Sequence, residues 1–320
     1  MNGISQSESI NLGLIGAGPW GRNYINTIAG LDGVRLSRLA SRNPESPALA
    51  GSGCRISEDW REMLAAGDLD GVIVATPATI HAEITLAALD HGLPVLVEKP
   101  MTLSAPEAEA VLSRARAKDA IVRVNHIHLY SAAWEVLKRE ARTLGPLSAI
   151  STVAGKWGPF NLETPVLWEW GSHDVAMCLD LAGRPPKKTA ARVIERRPVE
   201  QGSVRGEGES EGVSLALELD FGGVIAKIAV SNLYEDANRL FTASFEGGEL
   251  VYDDTTPEKL RLKATPRDPG GTFKLGPGTP LERAVLGFCA AVRKGIPDHE
   301  DAALGRDVVK VLEQLQAMLD

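Results

Sequence analysis

Short apolar runs alternate with amphipathic stretches along the first 124 residues of the chain. Two of these runs, 69–77 and 95–97, are typical of strands buried inside a parallel sheet, and further strands are predicted at Ile10–Ile15, Val34–Ala40 and 121–124. Helical spacing or helix-capping residues fill the intervals at 22–29, 56–66, 78–90 and 104–118. Strands and helices that alternate in this way predict a doubly wound parallel sheet with right-handed crossovers.

The pattern changes after Asn125. A helix is predicted over 131–142, and 147–153 begins a series of extended segments. Apolar residues then alternate with polar or small ones at 213–219 and 241–245, which is the period of a strand. We therefore expect an antiparallel sheet with helices on one face. Its other face is not fully polar, which predicts a homodimer or homotetramer formed through this sheet.

A chain of 320 residues is long enough for two domains. We assign 1–124 to the doubly wound domain and 125–320 to a second α/β domain. Residues 263–280, rich in Gly, Pro and Thr, predict a long exposed loop. An amphipathic last helix at about 303–319 could pack back on the first domain.

Charge and cysteine content restrict the class of protein. The formal net charge is −8 and no run of Lys and Arg is present, so neither nucleic acid nor an anionic membrane is an expected partner. Three scattered cysteines favour a reducing compartment, and the polar opening residues lack the features of a secretory signal. No apolar run approaches the roughly 20 residues of a membrane helix. We expect a cytoplasmic protein.

A glycine motif joins the first strand to the first helix. Gly16, Gly18 and Gly21, with Pro19 and Trp20 between them, form G-x-G-x-x-G in the required setting of strand, turn and helix. The first glycine permits the tight turn, the second lets a pyrophosphate approach the backbone, and the third lets the helix pack on the strand. The helix N-terminus would hold the phosphates. This setting predicts dinucleotide binding.

The residues after the second strand indicate which dinucleotide is bound. Ser41 and Arg42 fall where the adenosine ribose would lie. A small hydroxyl side chain followed by Arg suits the 2′-phosphate of NADP, whereas an acidic residue would suit NAD. The sequence favours NADP, and the nearby Glu45 leaves NAD open.

Polar residues also follow the next strand. Thr76 and Pro77 end it, and His81 lies in the first turn of the helix beyond. Near a helix N-terminus the protonated form of a histidine is disfavoured. His81 is therefore a candidate neutral residue beside the nicotinamide, and a histidine on the helix surface without a special role is the alternative.

The strand at 95–97 ends abruptly in Glu98, Lys99 and Pro100. Proline cannot continue the ladder, so Lys99 is held at the carboxyl end of a core strand. Open α/β sheets bind their ligands at this edge. Lys99 is thus a candidate catalytic residue, unless it is an ordinary solvated charge.

Further candidate chemistry precedes the helix predicted at 175–181. Glu169 and His173 are four residues apart, so a helix that began early enough would place both side chains on one face, where the carboxylate could orient the imidazole. Histidine suits proton transfer near neutral pH. His126 and His128 could suggest a metal, but alternating positions on a strand point to opposite faces, and we expect no metal site.

Taken together, these motifs resemble the glucose-fructose oxidoreductase / inositol dehydrogenase / MocA family along nearly the whole chain. The resemblance rests on the glycine motif, Thr76-Pro77 with His81, Glu98-Lys99-Pro100, and Trp170-Gly171-Ser172-His173-Asp174. It implies a Rossmann domain followed by an α+β domain with a large, mostly antiparallel open sheet. It also implies a sugar, an inositol or a related polyol as substrate.

The resemblance assigns roles to several residues. Lys99 would bind the reacting oxygen and assist proton transfer, and His173 would be the acid/base, with Trp170 beside it in the substrate site. Glu98 would fix the loop or lie near the nicotinamide ribose. Two positions depart from the family pattern: Glu169 replaces the usual Asp, and Asn125-His126-Ile127 lacks the usual Arg, which makes Asn125 and His126 candidate substrate contacts.

These observations predict an NAD(P)-dependent oxidoreductase that moves a hydride between a nicotinamide and a secondary alcohol of a sugar or polyol. Two alternatives remain. One is a redox-neutral glycoside-cleaving enzyme with a tightly bound nicotinamide, and the other is a non-catalytic NADP-binding regulatory protein.

Overall fold

The described part of the chain divides into two compact units. The computed structural model describes residues 9–158, 160–161, 164–199, 204–205, 210–263, 269–297 and 299–320. Unit 1 comprises residues 1–130 and 278–309, and unit 2 comprises 131–277 and 310–320. Unit 1 therefore takes in a segment from near the far end of the chain. The assignment of functional domains to 1–124 and 125–320 stays a prediction, and the opening residues 1–8 lie outside the described part.

A six-stranded parallel sheet forms the centre of unit 1, as the alternating pattern predicted. Its strands run in the spatial order β3-β2-β1-β4-β5-β6, which is the Rossmann arrangement. Their bounds are β1 Ile10–Ile15, β2 Val34–Ala40, β3 Arg55–Ser57, β4 Gly71–Val74, β5 Val95–Glu98 and β6 Val122–Asn125. Every residue of β4 and β5 is buried, because helices cover both faces.

The helices within the first 130 residues of unit 1 follow the predicted order, except that one short helix was not predicted and two others begin later than expected. They are α1 Pro19–Ala29, α2 Ser46–Ala50, α3 Trp60–Leu64, α4 His81–Asp90 and α5 Ala105–Ala117. The helix predicted over 56–66 is wrong at its start, because β3 pairs with β2 there and leaves only α3. A 3-10 turn, Ala78–Ile80, precedes α4. The Ser104 side chain caps α5, at the start of the interval 104–118 predicted to be helical.

Two helices of unit 2 pack on its larger sheet. They are α6 Ala132–Ala141 and α7 Ser172–Ala182, and a π-helical turn, Leu167–Gly171, leads into α7. Trp134 of α6 fixes the packing through edge-on ring contacts with Phe241 and Tyr252, at centroid distances of 5.0 and 6.4 Å.

The larger sheet of unit 2 has eight strands and is mostly antiparallel, in agreement with the prediction. Only the pair β7 and β12 within it is parallel among the described strands. The spatial order is β16-β15-β14-β13-β7-β12-β11-β9. The bounds are β7 Leu147–Gly155, β9 Lys188–Val199, β11 Ser210–Asp220, β12 Ile225–Ser231, β13 Asn238–Phe245, β14 Gly248–Asp253, β15 Leu260–Leu262 and β16 Gly271–Thr272. Two short strands, β8 Phe160–Asn161 and β10 Val204–Arg205, pair separately.

Three elements were not anticipated or differ from the prediction. The first helix after the loop, α8 Pro280–Lys294, buries Val285 and Phe288 in the same apolar cluster as β1. The last helix, α9 Glu300–Gln316, starts earlier than predicted. Residues 264–268 of the predicted exposed loop lie outside the described part, and β16 occupies a later piece of it. Among the described residues, no helix is both long and apolar enough to span a membrane.

Candidate functional site

The turn between β1 and α1 has the geometry of a phosphate-binding loop. Gly16 has a φ of +102°, and a Cβ there would lie 2.5 Å from the Ala75 carbonyl oxygen. A Cβ on Gly21 would lie 2.1 Å from the Gly16 carbonyl oxygen. A Cβ on Gly18, in contrast, would meet nothing within 4 Å. The loop is therefore tight where it packs and open at Gly18, where a ligand could approach the backbone.

The amide groups of the first turn of α1 have no side-chain cap. Gly18 is the N-cap residue and Pro19 takes the first helical position, so no N-cap side chain occupies the amides of Trp20 and Gly21. A free helix N-terminus attracts a phosphate through its amides and its dipole. These residues fit the pyrophosphate of a dinucleotide.

Residues after β2 form the predicted edge of that site. The Asn43 side chain donates a 3.2 Å hydrogen bond to the Ala17 carbonyl, which ties this segment to the glycine loop. Arg42 is exposed. The carboxylate of Glu45 accepts a hydrogen bond from Arg22 of α1, so its charge is already paired.

His81 is buried and not on the helix surface, with 1% of its surface exposed. Its Nδ1 lies 2.9 Å from the Pro100 carbonyl oxygen and its Nε2 lies 2.8 Å from the Thr76 carbonyl oxygen. The ring thus bridges the ends of β4 and β5. Burial lowers the pKa of His81, and the two carbonyl oxygens oppose that shift. The predicted contact of His81 with a nicotinamide stays a prediction.

Glu98 is the centre of a buried hydrogen-bond network at the end of β5. Its Oε1 accepts hydrogen bonds from the Tyr24 hydroxyl and from the Asn125 amide, each 2.7 Å long. Its Oε2 accepts a 3.3 Å bond from the Lys99 backbone amide. Burial raises the pKa of Glu98, and the bonds from Asn125 and Tyr24 oppose this rise. The geometry supports the structural role considered for Glu98, which is to fix the loop that presents Lys99.

His126 lies beside Lys99 in an unusual setting. It is 2% exposed, and neither ring nitrogen has a hydrogen-bond partner in the part of the chain that the structure describes. Burial, followed by the Lys99 charge, lowers the pKa of His126 to about 3. The ring is therefore neutral, with one nitrogen able to donate and one able to accept.

The histidines after β6 do not alternate along a strand, because β6 ends at Asn125. His128 lies in a 3-10 turn, Ile127–Tyr130, so the strand argument against chelation does not apply there. Among the described residues, no group of three or more His, Cys, Asp or Glu side chains is placed to hold a metal ion.

The second candidate region lies in unit 2, where the π-helical turn meets α7. Trp170 and Glu169 belong to the π-helical turn, and His173 is the second residue of α7, with 8% of its surface exposed. A π-helical turn bonds i to i+5, so a spacing of four no longer guarantees a shared face. The pairing of Glu169 with His173 stays a prediction, as does the joint action of His173 with Lys99.

Asp174 is held by a residue that the sequence analysis did not single out. Nη1 of Arg239 lies 2.8 Å from Oδ2 of Asp174, and the two side chains are 7% and 1% exposed. Burial raises the pKa of Asp174, and the Arg239 charge opposes the rise. Alternation along β13 could have revealed this pair, because Arg239 shares the inward face with Phe241 and so needs a buried acid.

Known proteins extend these observations. Residues 10–126 match the model of an oxidoreductase family with an NAD-binding Rossmann fold. The crystal structure of a candidate oxidoreductase from Magnetospirillum magnetotacticum MS-1 superposes with a TM-score of 0.87 at 42% sequence identity, covering 96% of this chain and 99% of that one.

Two relatives with similar sequences are named as dehydrogenases. A 4-carboxy-2-hydroxymuconate-6-semialdehyde dehydrogenase from Sphingobium sp. is 25% identical over 97% of this chain and 99% of its own length. Inositol 2-dehydrogenase 4 from Saccharopolyspora erythraea is 30% identical over 42% of this chain and 41% of its own. The chain therefore belongs to the glucose-fructose oxidoreductase / inositol dehydrogenase / MocA family, and it is an oxidoreductase with an NAD-binding Rossmann fold.

Proposed function

We propose that the protein reversibly oxidises a secondary alcohol of a sugar, an inositol or a related polyol, with NADP as the preferred cofactor. The observation that supports this most is the buried network of Glu98, Tyr24 and Asn125, which fixes Lys99 at the carboxyl end of β5. The same unit supplies the uncapped glycine loop.

In this proposal two side chains assist the reaction, one by stabilising charge and one by transferring a proton. Lys99 binds the substrate oxygen and stabilises the negative charge that develops on it, as preorganised charges do in a site shielded from water. His173 takes the hydroxyl proton during oxidation and returns it during reduction. The nicotinamide, when bound, accepts or returns the hydride.

The preference for NADP rests on the charges near Ser41. Arg42 is exposed and available to a 2′-phosphate, whereas the Glu45 carboxylate, the nearby acidic alternative, is paired with Arg22. An arginine fork matches a phosphate, while a ribose 2′-hydroxyl calls for an unpaired carboxylate.

The residues beside Lys99 favour a hydroxylated substrate over a carboxylated one. Oδ1 of Asn125 is a buried acceptor that has no hydrogen-bond partner among the described residues, while the amide nitrogen donates to Glu98. Neutral His126 offers one donor and one acceptor. Hydroxyl groups both donate and accept, but a carboxylate would meet the Asn125 oxygen unfavourably. This supports the inositol-type chemistry named for one relative over the carboxylated semialdehyde named for the other.

Assembly and compartment complete the proposal. The face of the larger sheet opposite Trp134 has a half-buried apolar row across four strands, formed by Leu240, Val153, Ala229 and Ala216. Such a row suits a contact between copies of the chain, so we expect a homodimer or homotetramer. All three cysteines are free, in keeping with the reducing cytoplasm.

The test is a titration with NADP and NAD followed by a screen of inositols, aldoses and deoxy sugars for a change in nicotinamide absorbance. Lys99→Met should abolish most turnover, and Lys118→Met, which removes a half-exposed lysine of the same unit, should not. Cleavage of a glycoside with retained cofactor and no net absorbance change would instead indicate the redox-neutral enzyme. NADP binding without turnover of any member of the panel would indicate the regulatory protein.

A further inference from the structure

Arg239 contacts a residue on each side of His173. Its Nη1 lies 2.8 Å from Oδ2 of Asp174, the residue directly after His173. Its guanidinium carbon lies 5.4 Å from the ring centroid of Trp170, three residues before His173. The planar Arg239 side chain, which lies on β13, therefore contacts the chain segment both before and after His173.

The contacts matter because the backbone changes from a π-helical turn to an α-helix between Trp170 and Asp174. Trp170 belongs to the π-helical turn, whereas Asp174 belongs to the first turn of α7. The direction of the His173 side chain depends on how the π-helical turn joins the α-helix, since the two have different hydrogen-bond spacing. Contacts with both Trp170 and Asp174 fix that junction.

Stability alone is a weak reason for this buried pair. Removing both charges of a buried ion pair is often nearly neutral for folding, because the desolvation cost of the charges disappears with their attraction. Geometry is the stronger contribution, since an arginine that bonds a carboxylate and stacks on an aromatic ring is held in one orientation.

We propose that Arg239 is a positioning residue for His173. It holds the imidazole in the orientation needed for proton transfer by fastening Asp174 and Trp170 to β13. The inference rests on the proposed role of His173 as the acid/base, and it adds a residue that acts without touching substrate or cofactor.

The test compares variants that keep the buried charges balanced. Arg239→Met combined with Asp174→Asn leaves no unpaired charge, so the protein should fold, and Arg239→Lys keeps the ion pair. The double variant should lower kcat by about 10- to 100-fold, the usual cost of a misplaced catalytic group, with KM and the Kd for NADP little changed. Arg239→Lys keeps the ion pair with Asp174 but cannot stack on Trp170, so it should recover only part of the lost turnover.

A second comparison separates positioning from a general structural effect. In a His173→Ala background, the Arg239→Met/Asp174→Asn change should cause no further loss of kcat, because its effect passes through His173. The matched control is Lys138→Met, which removes a 2.9 Å ion pair to Asp180 on the same helix α7 and should leave kcat unchanged.

Three results would overturn the inference. They are an unchanged kcat in the folded double variant, an equal fold-loss with and without His173, and a Lys138→Met variant that loses as much kcat as the double variant. Normal turnover of His173→Ala alone would instead refute the proposed function on which the inference rests.

Discussion

The Tyr24 hydroxyl donates a 2.7 Å hydrogen bond to Oε1 of Glu98. Tyr24 lies one turn after the glycine loop, on α1, and Glu98 precedes Lys99 at the end of β5. The bond therefore joins the helix that would bind the cofactor phosphates to the strand end that presents the candidate catalytic lysine.

Tyr24→Phe should lower the free energy of unfolding by about 1–3 kcal/mol, because it leaves the buried Glu98 carboxylate with one donor fewer. Urea unfolding measures the change. Tyr234→Phe is the matched control, since Tyr234 is only partly buried, and it should have little effect. Equal destabilisation by the two changes would contradict the structural role given to the Tyr24–Glu98 bond.

Gly18→Ala should weaken NADP binding and leave the fold intact, whereas Gly21→Ala should destabilise the fold. Gly18 has open space at its Cβ position and a φ of −71°, so alanine fits the fold and weakens only NADP binding. Alanine at Gly21 would meet the Gly16 carbonyl oxygen at 2.1 Å, so the variant should be unstable. Fluorescence titration and thermal unfolding measure the two effects.

Gly287→Ala is the control for these glycine changes. Gly287 lies within α8, and its Cβ position is open, so alanine should slightly stabilise the protein and leave NADP binding unchanged. Normal NADP affinity in Gly18→Ala would argue against binding of the pyrophosphate at that turn.

Arg42→Gln should raise the Kd for NADP by about 10- to 100-fold, because a charge-assisted bond to the 2′-phosphate is typically worth about 1.5–3 kcal/mol. The Kd for NAD should hardly change. Arg116→Gln, at an exposed arginine of α5, is the control and should affect neither affinity. If the affinity for NADP and NAD fell together, Arg42 would not be the residue that selects the 2′-phosphate.

His126 should make stability depend on pH. Its pKa is lowered to about 3 in the folded protein, against about 6.5 when unfolded. As the pH falls below about 6.5, His126 binds a proton in the unfolded chain but not in the folded one. The free energy of unfolding therefore drops by up to about 1.4 kcal/mol per pH unit.

His126→Asn removes that titrating group. The difference in unfolding free energy between wild type and variant should therefore shift in favour of the variant as the pH falls from 6.5 to 4. Urea unfolding at several pH values measures it. A difference that stays constant over this range would show that the folded protein does not hold His126 neutral.

Much of unit 1 could be predicted from the sequence because its signals are local. Buried strands such as Val95–Glu98, the glycine turn and the Ser104 cap each depend on a few neighbouring residues. Helix α8 was missed although its signals are local, since Thr279 and Glu282 form a capping box, Pro280 opens the helix and Gly295 follows its end. The helical reading of 56–66 failed at its start because pairing with β2 overrode local spacing.

In the candidate sites, too, the sequence reveals local motifs but not the contacts between distant residues. Lys99, Glu98 and His173 stand out from motifs and spacing, but the partners that fix them do not. Tyr24 and Arg239 are single residues in ordinary patterns, and their contacts with Glu98 and Asp174 span 74 and 65 positions. The phase change of the π-helical turn, which undermines the spacing argument for Glu169, has no sequence signal that the pattern alone reveals.

The most direct test of the account is the turnover of His173→Ala on the best polyol or sugar substrate, measured together with its Kd for NADP. General acid/base assistance is typically worth about 100- to 10,000-fold, so kcat should fall by that order while NADP affinity stays nearly intact. Normal turnover by the folded, cofactor-binding variant would contradict the assignment of His173 as the acid/base.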